Sequence, residues 1–102
     1  MPIVLIATMI PKPEHRDEVI AAVTAAVGEV HKEDGCELYA LHASPDRLVI
    51  IEKWASQEAL AVHRTAPALA ALGPALAGKM AGRTEVVVLE PLPAGDPAKG
   101  QV

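Results

Sequence analysis

The chain has 102 residues, of which 51% are hydrophobic and 22% are charged, and its formal net charge is −4 at pH 7. This length is sufficient for one domain with one core. The nine Lys and Arg residues are scattered and the charge balance is acidic, which argues against nucleic acid or an anionic membrane as the main partner.

Cys36 is the only cysteine, so neither an intramolecular disulfide nor a cysteine-based zinc site can form. The histidines lack metal-like spacing, and no metal site is predicted. The apolar run at residues 3–10 is too short to span a bilayer, and it lacks the basic segment and cleavage site of a secretory signal. These features together predict a cytoplasmic protein that does not act at a membrane.

The first predicted elements are a strand and a helix. Residues 3–10 are almost all apolar and rich in β-branched side chains, which predicts a strand buried on both faces. Pro13 then begins a helix with acidic side chains in its first turn. Apolar residues at three- and four-residue spacing predict that this helix extends to about residue 32. The members of this stripe are Val19, Val23, Val27 (or Ala26) and Val30.

The middle of the chain predicts a β-hairpin. Residues 36–43 and 48–54 read as strands, and residues 44–47 form a tight turn in which Pro45 presets φ. With this turn, Tyr39 pairs with Glu52 and faces the same side of the sheet, while His42 faces the other side. A slip of one residue would reverse this assignment.

The second half predicts two helical segments and a final strand. Ser56 caps a short helix over residues 57–64, and Pro67 ends it. A further helical segment is predicted to be interrupted at Gly73 and Pro74. Its apolar stripe consists of Leu69, Leu72, Leu76 and Met80. Residues 83–90 form the last strand. Residues 1–92 are therefore predicted to form one domain, and the Pro/Gly-rich residues 93–102 a disordered tail.

The order of elements predicts an α+β, ferredoxin-like βαββαβ fold, with a four-stranded antiparallel sheet and the helices on one face. Three of the four strands are apolar on both faces. In a sheet with one solvent-exposed face, by contrast, apolar and polar residues alternate along each strand. Each large aliphatic side chain left in water forgoes about 1.5–3 kcal/mol of burial. The sequence therefore predicts a homodimer that pairs through the uncovered sheet face.

Three short patterns resemble a known family. They are Gly35-Cys36-x-x-Tyr39 at the start of the second strand, Glu52-x-Trp54 at the end of the third, and Ser56-x-x-Ala59-Leu60-x-x-His63 in the following helix. This set resembles the antibiotic biosynthesis monooxygenase (ABM) family over about residues 2–92. Residues 12–16 also resemble the family, although its members often have Gly where Glu14 stands. The resemblance implies a dimeric α/β barrel.

The resemblance also implies a function: a cofactor-independent monooxygenase that uses O2 to oxidise a small hydroxylated aromatic, quinol or polyketide-like substrate. The family also includes members without a known reaction, so a non-catalytic small-molecule-binding or stress-response dimer of the same fold is an alternative. Haem degradation is disfavoured, because residues 7–9 lack the asparagine that the haem-degrading members use.

Such a reaction needs a base that removes a phenolic or enolic proton, and an apolar wall that orients the ring. His63 is the predicted base, since imidazole exchanges protons near neutral pH and His63 shares a helix face with Leu60. The alternative is a buried histidine bonded to a backbone carbonyl. Trp54 is the second predicted catalytic residue, as part of the pocket wall. Its alternative role is that of the largest core side chain.

The predicted substrate-binding residues are Glu52, Tyr39, Leu60 and Ile50. Glu52 shares a face of its strand with Trp54, so its carboxylate must find a partner or have its pKa raised. It could act as a base, orient His63, or form a structural salt bridge with Arg64 or Arg83. Cys36 is interpreted as a small buried apolar residue.

Overall fold

A computed structural model describes residues 2–102. The elements in chain order are β1 (Ile3–Met9), a 3-10 turn (Pro13–His15), α1 (Arg16–Val30), β2 (Cys36–Ser44), β3 (Arg47–Trp54), α2 (Gln57–Arg64), α3 (Pro67–Leu76) and β4 (Glu85–Leu89). The α+β, ferredoxin-like class predicted from the sequence is confirmed.

The four strands form one antiparallel sheet in the order β2-β3-β1-β4. Tyr39 lies opposite Glu52, as the position of the hairpin turn predicted. A bulge between Cys36 and Leu38 leaves Glu37 as an extra residue near the start of β2. Beyond the bulge the register is regular, so every second residue of β2 and β3 faces the helices.

The core lies between the helices and one face of the sheet. The α1 side chains Val19, Val23 and Val30 are almost completely buried there. Leu5 on β1 and Leu48 on β3 meet them from the sheet. Each such side chain contributes about 1.5–3 kcal/mol through its burial. The valine spacing of α1 thus matches the face that the helix buries.

The opposite face of the sheet, here called the open face, is mostly apolar. Residues of alternate parity on each strand point to it, among them Ile6, Ile51 and Val87. Val87 is 54% exposed and its neighbour Leu89 is 38% exposed, although both are aliphatic. His42 lies on this side and is exposed, as predicted from the register.

The predicted interruption of the last helical segment is wrong. Helix α3 continues through Gly73 and Pro74 and ends at Leu76. Proline forgoes one helical hydrogen bond, and here it does so in the last turn, where few further bonds depend on it. Met80, predicted on the same stripe, lies beyond the helix, where it bridges to Pro11 and still packs against the core.

Residues 90–102 contain no helix or strand. They turn back at Asp96, and the Val102 carbonyl accepts a hydrogen bond from Lys53 Nζ at 3.0 Å. The end of the chain therefore lies beside the open face. The boundary at residue 92 and the disorder of the tail stay predictions. None of the helices within residues 2–102 has the length and hydropathy needed to cross a membrane.

Candidate active site

A cavity of about 310 Å³ lies between the sheet and the last two helices. Aliphatic side chains form most of its wall, with Leu5, Ala7 and Ile50 from the sheet and Leu60 and Leu72 from the helices. A few polar side chains also reach it, and these are Tyr39, Glu52, His63, Arg64 and Thr84. Apolar walls with a few convergent polar groups are typical of small-molecule sites.

Helix α2 places His63 at this cavity. The helix begins at Ser56, whose side chain accepts the Ala59 N–H at 3.1 Å, so the first turn is capped. Leu60 and His63 are the buried residues of the helix, as their three-residue spacing predicted. The His63 side chain is only 4% exposed. Its imidazole is thus fixed against the sheet.

Two aromatic rings hold the plane of the His63 imidazole. Trp54 stacks on it with ring centroids 4.3 Å apart and an interplanar angle of 29°. Tyr39 meets it edge-on at 5.4 Å and 69°. Trp54 itself is completely buried and is not part of the cavity surface. It supports the imidazole from behind and, in this arrangement, does not line the space for a ligand.

Glu33 makes the shortest polar contact of His63. Its Oε1 lies 2.7 Å from Nδ1, within hydrogen-bond distance. Glu33 stands in the turn between α1 and β2. Gly35 lets that turn approach α2, because its φ is +83° and an added methyl group would overlap the Ala59 side chain. This contact was not predicted from the sequence.

Glu52 is buried beside the same imidazole. Its Oε1 accepts the Trp54 Nε1–H at 2.9 Å and lies 3.8 Å from His63 Nε2. Burial raises the pKa of the Glu52 carboxyl, while the Trp54 hydrogen bond and the positive charges of His63 and Arg64 act in the opposite direction. Within residues 2–102 Glu52 forms no ion pair with Arg64 or Arg83, the alternative considered from the sequence.

Tyr39 presents its ring to the cavity and is 5% exposed. Burial raises the pKa of its hydroxyl above the usual range, and the negative charges of Glu52 and Glu33 raise it further. The phenol therefore stays neutral. Tyr39 can donate a hydrogen bond to a bound oxygen atom, but it is unsuited to act as a base at neutral pH.

The structure brings all six predicted site residues into one cluster, with five of them on the cavity surface: Tyr39, Ile50, Glu52, Leu60 and His63. Trp54 lies behind them. The alternative considered from the sequence, a bond from His63 to a backbone carbonyl, is not observed, and the partner of Nδ1 is the Glu33 carboxyl group. Across the described part of the chain, no three His, Cys, Asp or Glu side chains are grouped so that they could hold a metal ion. The catalytic and binding roles themselves stay predictions.

This chain is similar in sequence and in fold to known proteins. The sequence profile of the family described as antibiotic biosynthesis monooxygenase matches residues 2–73, which include β1 to α2. Rv0793 of Mycobacterium tuberculosis, whose name assigns it provisionally to the monooxygenases, is 37% identical over 68 residues, covering 65% of this chain and 67% of that protein.

Solved structures agree with this match. The structure of Rv0793 superimposes with a TM-score of 0.86 and 30% identity, covering 94% of this chain and all of the other. A crystal structure of an antibiotic biosynthesis monooxygenase superimposes with a TM-score of 0.82 and 26% identity, covering 89% of this chain and 99% of the other. The chain therefore belongs to the antibiotic biosynthesis monooxygenase family.

Proposed function

We propose that this protein is a monooxygenase that oxidises a small hydroxylated aromatic, quinol or polyketide-like substrate with O2, without a bound flavin or metal. The observation that carries the proposal is the position of His63 Nε2. It faces an apolar cavity of about 310 Å³, while Nδ1 is engaged by Glu33 on the other side of the ring. This arrangement suits the removal of one proton from a ring hydroxyl.

In the proposed reaction the substrate is the electron donor. His63 Nε2 accepts the hydroxyl proton, and the resulting anion gives its electrons to O2. A ring carbon that bore hydrogen becomes a carbonyl carbon, one oxygen atom enters the product, and the other leaves as water with the two hydrogens that the substrate loses. All four electrons that reduce O2 come from the substrate, so the reaction balances without a further reductant.

The wall of the cavity supports this chemistry. Its aliphatic side chains favour a flat ring over water, and exclusion of water protects reactive intermediates. The neutral Tyr39 hydroxyl can donate a hydrogen bond to a substrate oxygen. Arg64, which also lines the cavity, adds a positive charge that favours the anion of the substrate.

We also propose that two copies pair through their open faces. A central strip of that face consists of Ile6 and Ile51 in adjacent strands, and Val87 lies beside Ile6 on β4. A contiguous aliphatic face of this kind is unusual on a monomer and is buried when two copies meet. A second copy of the chain has the same apolar surface, so an isologous pair buries the open faces of both copies.

The test of the enzymatic proposal is O2 uptake with a panel of hydroquinones, naphthols and polycyclic phenols. We expect uptake with at least one of them, and one labelled oxygen atom in the product when the gas is 18O2. His63→Gln is expected to lower the rate about 10²–10⁴-fold, as for loss of a general base. His15→Gln, which alters a histidine outside the cavity, is the control and keeps the rate. No uptake across the panel would contradict the proposal.

The non-catalytic module of the same fold makes a different prediction for the same panel: binding without O2 uptake. The open cavity beside His63 argues against a module that acts only through protein contacts, and O2 uptake separates the enzyme from a module that binds a small molecule in the same cavity. Binding by calorimetry without consumption of O2 would favour the module.

A further inference from the structure

We infer that Glu33 is the positioning residue of this site: its carboxylate holds the ring proton of His63 on Nδ1 and so leaves Nε2 bare toward the cavity. The inference rests on the proposed function and assigns a role to a residue outside the cavity wall. Glu33 does not touch the space for the substrate, and it acts only through His63.

The contact with Glu33 determines which nitrogen of the His63 imidazole carries the proton. A neutral imidazole has one N–H and one bare nitrogen, and the partner of one nitrogen decides which form is present. Glu33 Oε1 lies 2.7 Å from Nδ1, within the range of a charge-assisted hydrogen bond. A carboxylate cannot donate, so the proton must be on Nδ1 and the lone pair on Nε2.

The bare nitrogen, Nε2, is directed toward the cavity. Stacking on Trp54 and the edge contact with Tyr39 fix the plane of the His63 imidazole. The hydrogen bond to Glu33 then fixes the rotation of the ring within that plane. Nε2 then points toward the cavity and Glu52. The Nε2–Oε1 distance of 3.8 Å is too long for a hydrogen bond, and Oε1 already accepts from Trp54. Nε2 thus remains free for a ligand.

The Glu33 carboxylate also acts on the charge of the imidazole. When Nε2 takes a proton, the imidazole becomes a cation that Glu33 faces at hydrogen-bond distance. Within residues 2–102 Glu33 forms no ion pair with Lys or Arg, so its charge acts on His63. The other titratable groups around the ring are Tyr39 and Cys36 on β2, Glu52 on β3 and Arg64 on α2.

The direct test is 15N NMR of the imidazole in the protein without ligand, at about pH 8.5, two units above the ordinary imidazole pKa. We expect the wild type to carry the proton on Nδ1, with Nε2 bare. Glu33→Ala removes the acceptor and is expected to give a mixture of the two tautomers. Glu29→Ala, on the exposed surface of α1, is the control and keeps the wild-type spectrum. A proton on Nε2 in the wild type, or an unchanged spectrum in Glu33→Ala, overturns the inference.

The second readout is the rate of phenol oxidation as a function of pH. Glu33→Ala is expected to lower kcat about 10²-fold with little change in KM, because the imidazolium formed in the reaction loses the carboxylate that faces it and only part of the protein has Nε2 bare. The loss of that negative charge is also expected to shift the pH profile. If the role of Glu33 is purely structural, folded Glu33→Ala keeps the pH profile of the wild-type rate. That result would overturn the inference. If the wild type consumes no O2 with any substrate of the panel, the proposed function is contradicted, whichever nitrogen of His63 carries the proton.

Discussion

The indole of Trp54 contacts two polar groups of the site at once, His63 and Glu52. Its ring stacks on His63 with centroids 4.3 Å apart, and its Nε1–H donates to Glu52 at 2.9 Å. One completely buried side chain therefore fixes the plane of the proposed base and satisfies a buried carboxyl group. This double contact explains why a tryptophan without access to the cavity matters for its chemistry.

Trp54→Phe separates these two contacts. Phenylalanine retains an aromatic ring for stacking but leaves Glu52 without the indole donor, and an unsatisfied buried polar group costs about 1–3 kcal/mol. The hydrogen bond lowers the pKa of Glu52, so its loss raises that pKa further. We expect urea unfolding at neutral pH to show a loss of this size. Tyr39→Phe, which removes a hydroxyl from the same cavity but no bond to Glu52, is the control; an equal loss in both variants would argue against the assigned contact.

Glu52→Gln tests the effect of burial on the carboxyl. Burial raises the pKa of Glu52 in the folded state, so its contribution to stability is present below the unfolded pKa and is lost as pH rises through the folded pKa. Glutamine cannot ionise, yet its carbonyl can still accept from Trp54. The free energy of unfolding of Glu52→Gln should therefore exceed that of the wild type by a margin that grows as pH rises above the ordinary pKa of a glutamate carboxyl. The margin is about 1.4 kcal/mol for each unit by which burial raises that pKa.

Glu58→Gln makes the same chemical change on the exposed surface of α2. It is the control for replacing a glutamate by glutamine outside the site. If the free energy of unfolding changes with pH in the same way for the wild type and Glu52→Gln, burial does not raise the pKa of Glu52.

Gly35→Ala tests how the turn that carries Glu33 reaches His63. The new methyl group has an unfavourable positive φ and would also overlap Ala59. A strained backbone alone costs about 1–3 kcal/mol. Gly78 has a similar φ of +76° but open space around it, so Gly78→Ala reports the backbone cost alone. We expect Gly35→Ala to have the lower Tm of the two and to lose the fixed tautomer of His63. Equal Tm values would contradict the close approach.

The sequence predicted the sheet better than it predicted the site. The hairpin register followed from a turn with Pro45, because a two-residue centre fixes every pair beyond it, including Tyr39 with Glu52. Apolar periodicity likewise placed the buried face of α1, and the continuous apolar run of residues 3–10 placed β1. Local rules were wrong at Pro74, since a proline in the last turn of a helix removes little that the helix needs.

Glu33 could not be found in this way. Its partner His63 is thirty positions away in the sequence. Residues in a turn also lack the periodicity from which the direction of a side chain can be predicted. The one local signal was Gly35, which permits a positive φ and a close approach to α2. Trp54 was placed correctly in the cluster, but pattern reasoning does not distinguish a cavity wall from the layer behind it.

The proposed dimer is tested on the open face. Ile51 lies between Ala40 and Ile6 near the centre of this face, and Ile51→Lys would bury a charge in the interface. Light scattering should show twice the chain mass for the wild type and the single chain mass for Ile51→Lys. Val62→Lys adds the same charge on the 65%-exposed side chain of α2 and should stay dimeric. A wild type of single mass at micromolar concentration would contradict the proposed pairing.

The central claim is that His63 takes a proton from a ring hydroxyl bound in the cavity. It is tested most directly by titrating the protein with a naphthol in the absence of O2, at a pH below the pKa of the free naphthol, and recording the absorption spectrum. We predict the naphtholate band on binding to the wild type, and only the neutral naphthol spectrum on binding to His63→Gln. A neutral naphthol bound to the wild type, or a naphtholate band that survives in His63→Gln, would contradict the account.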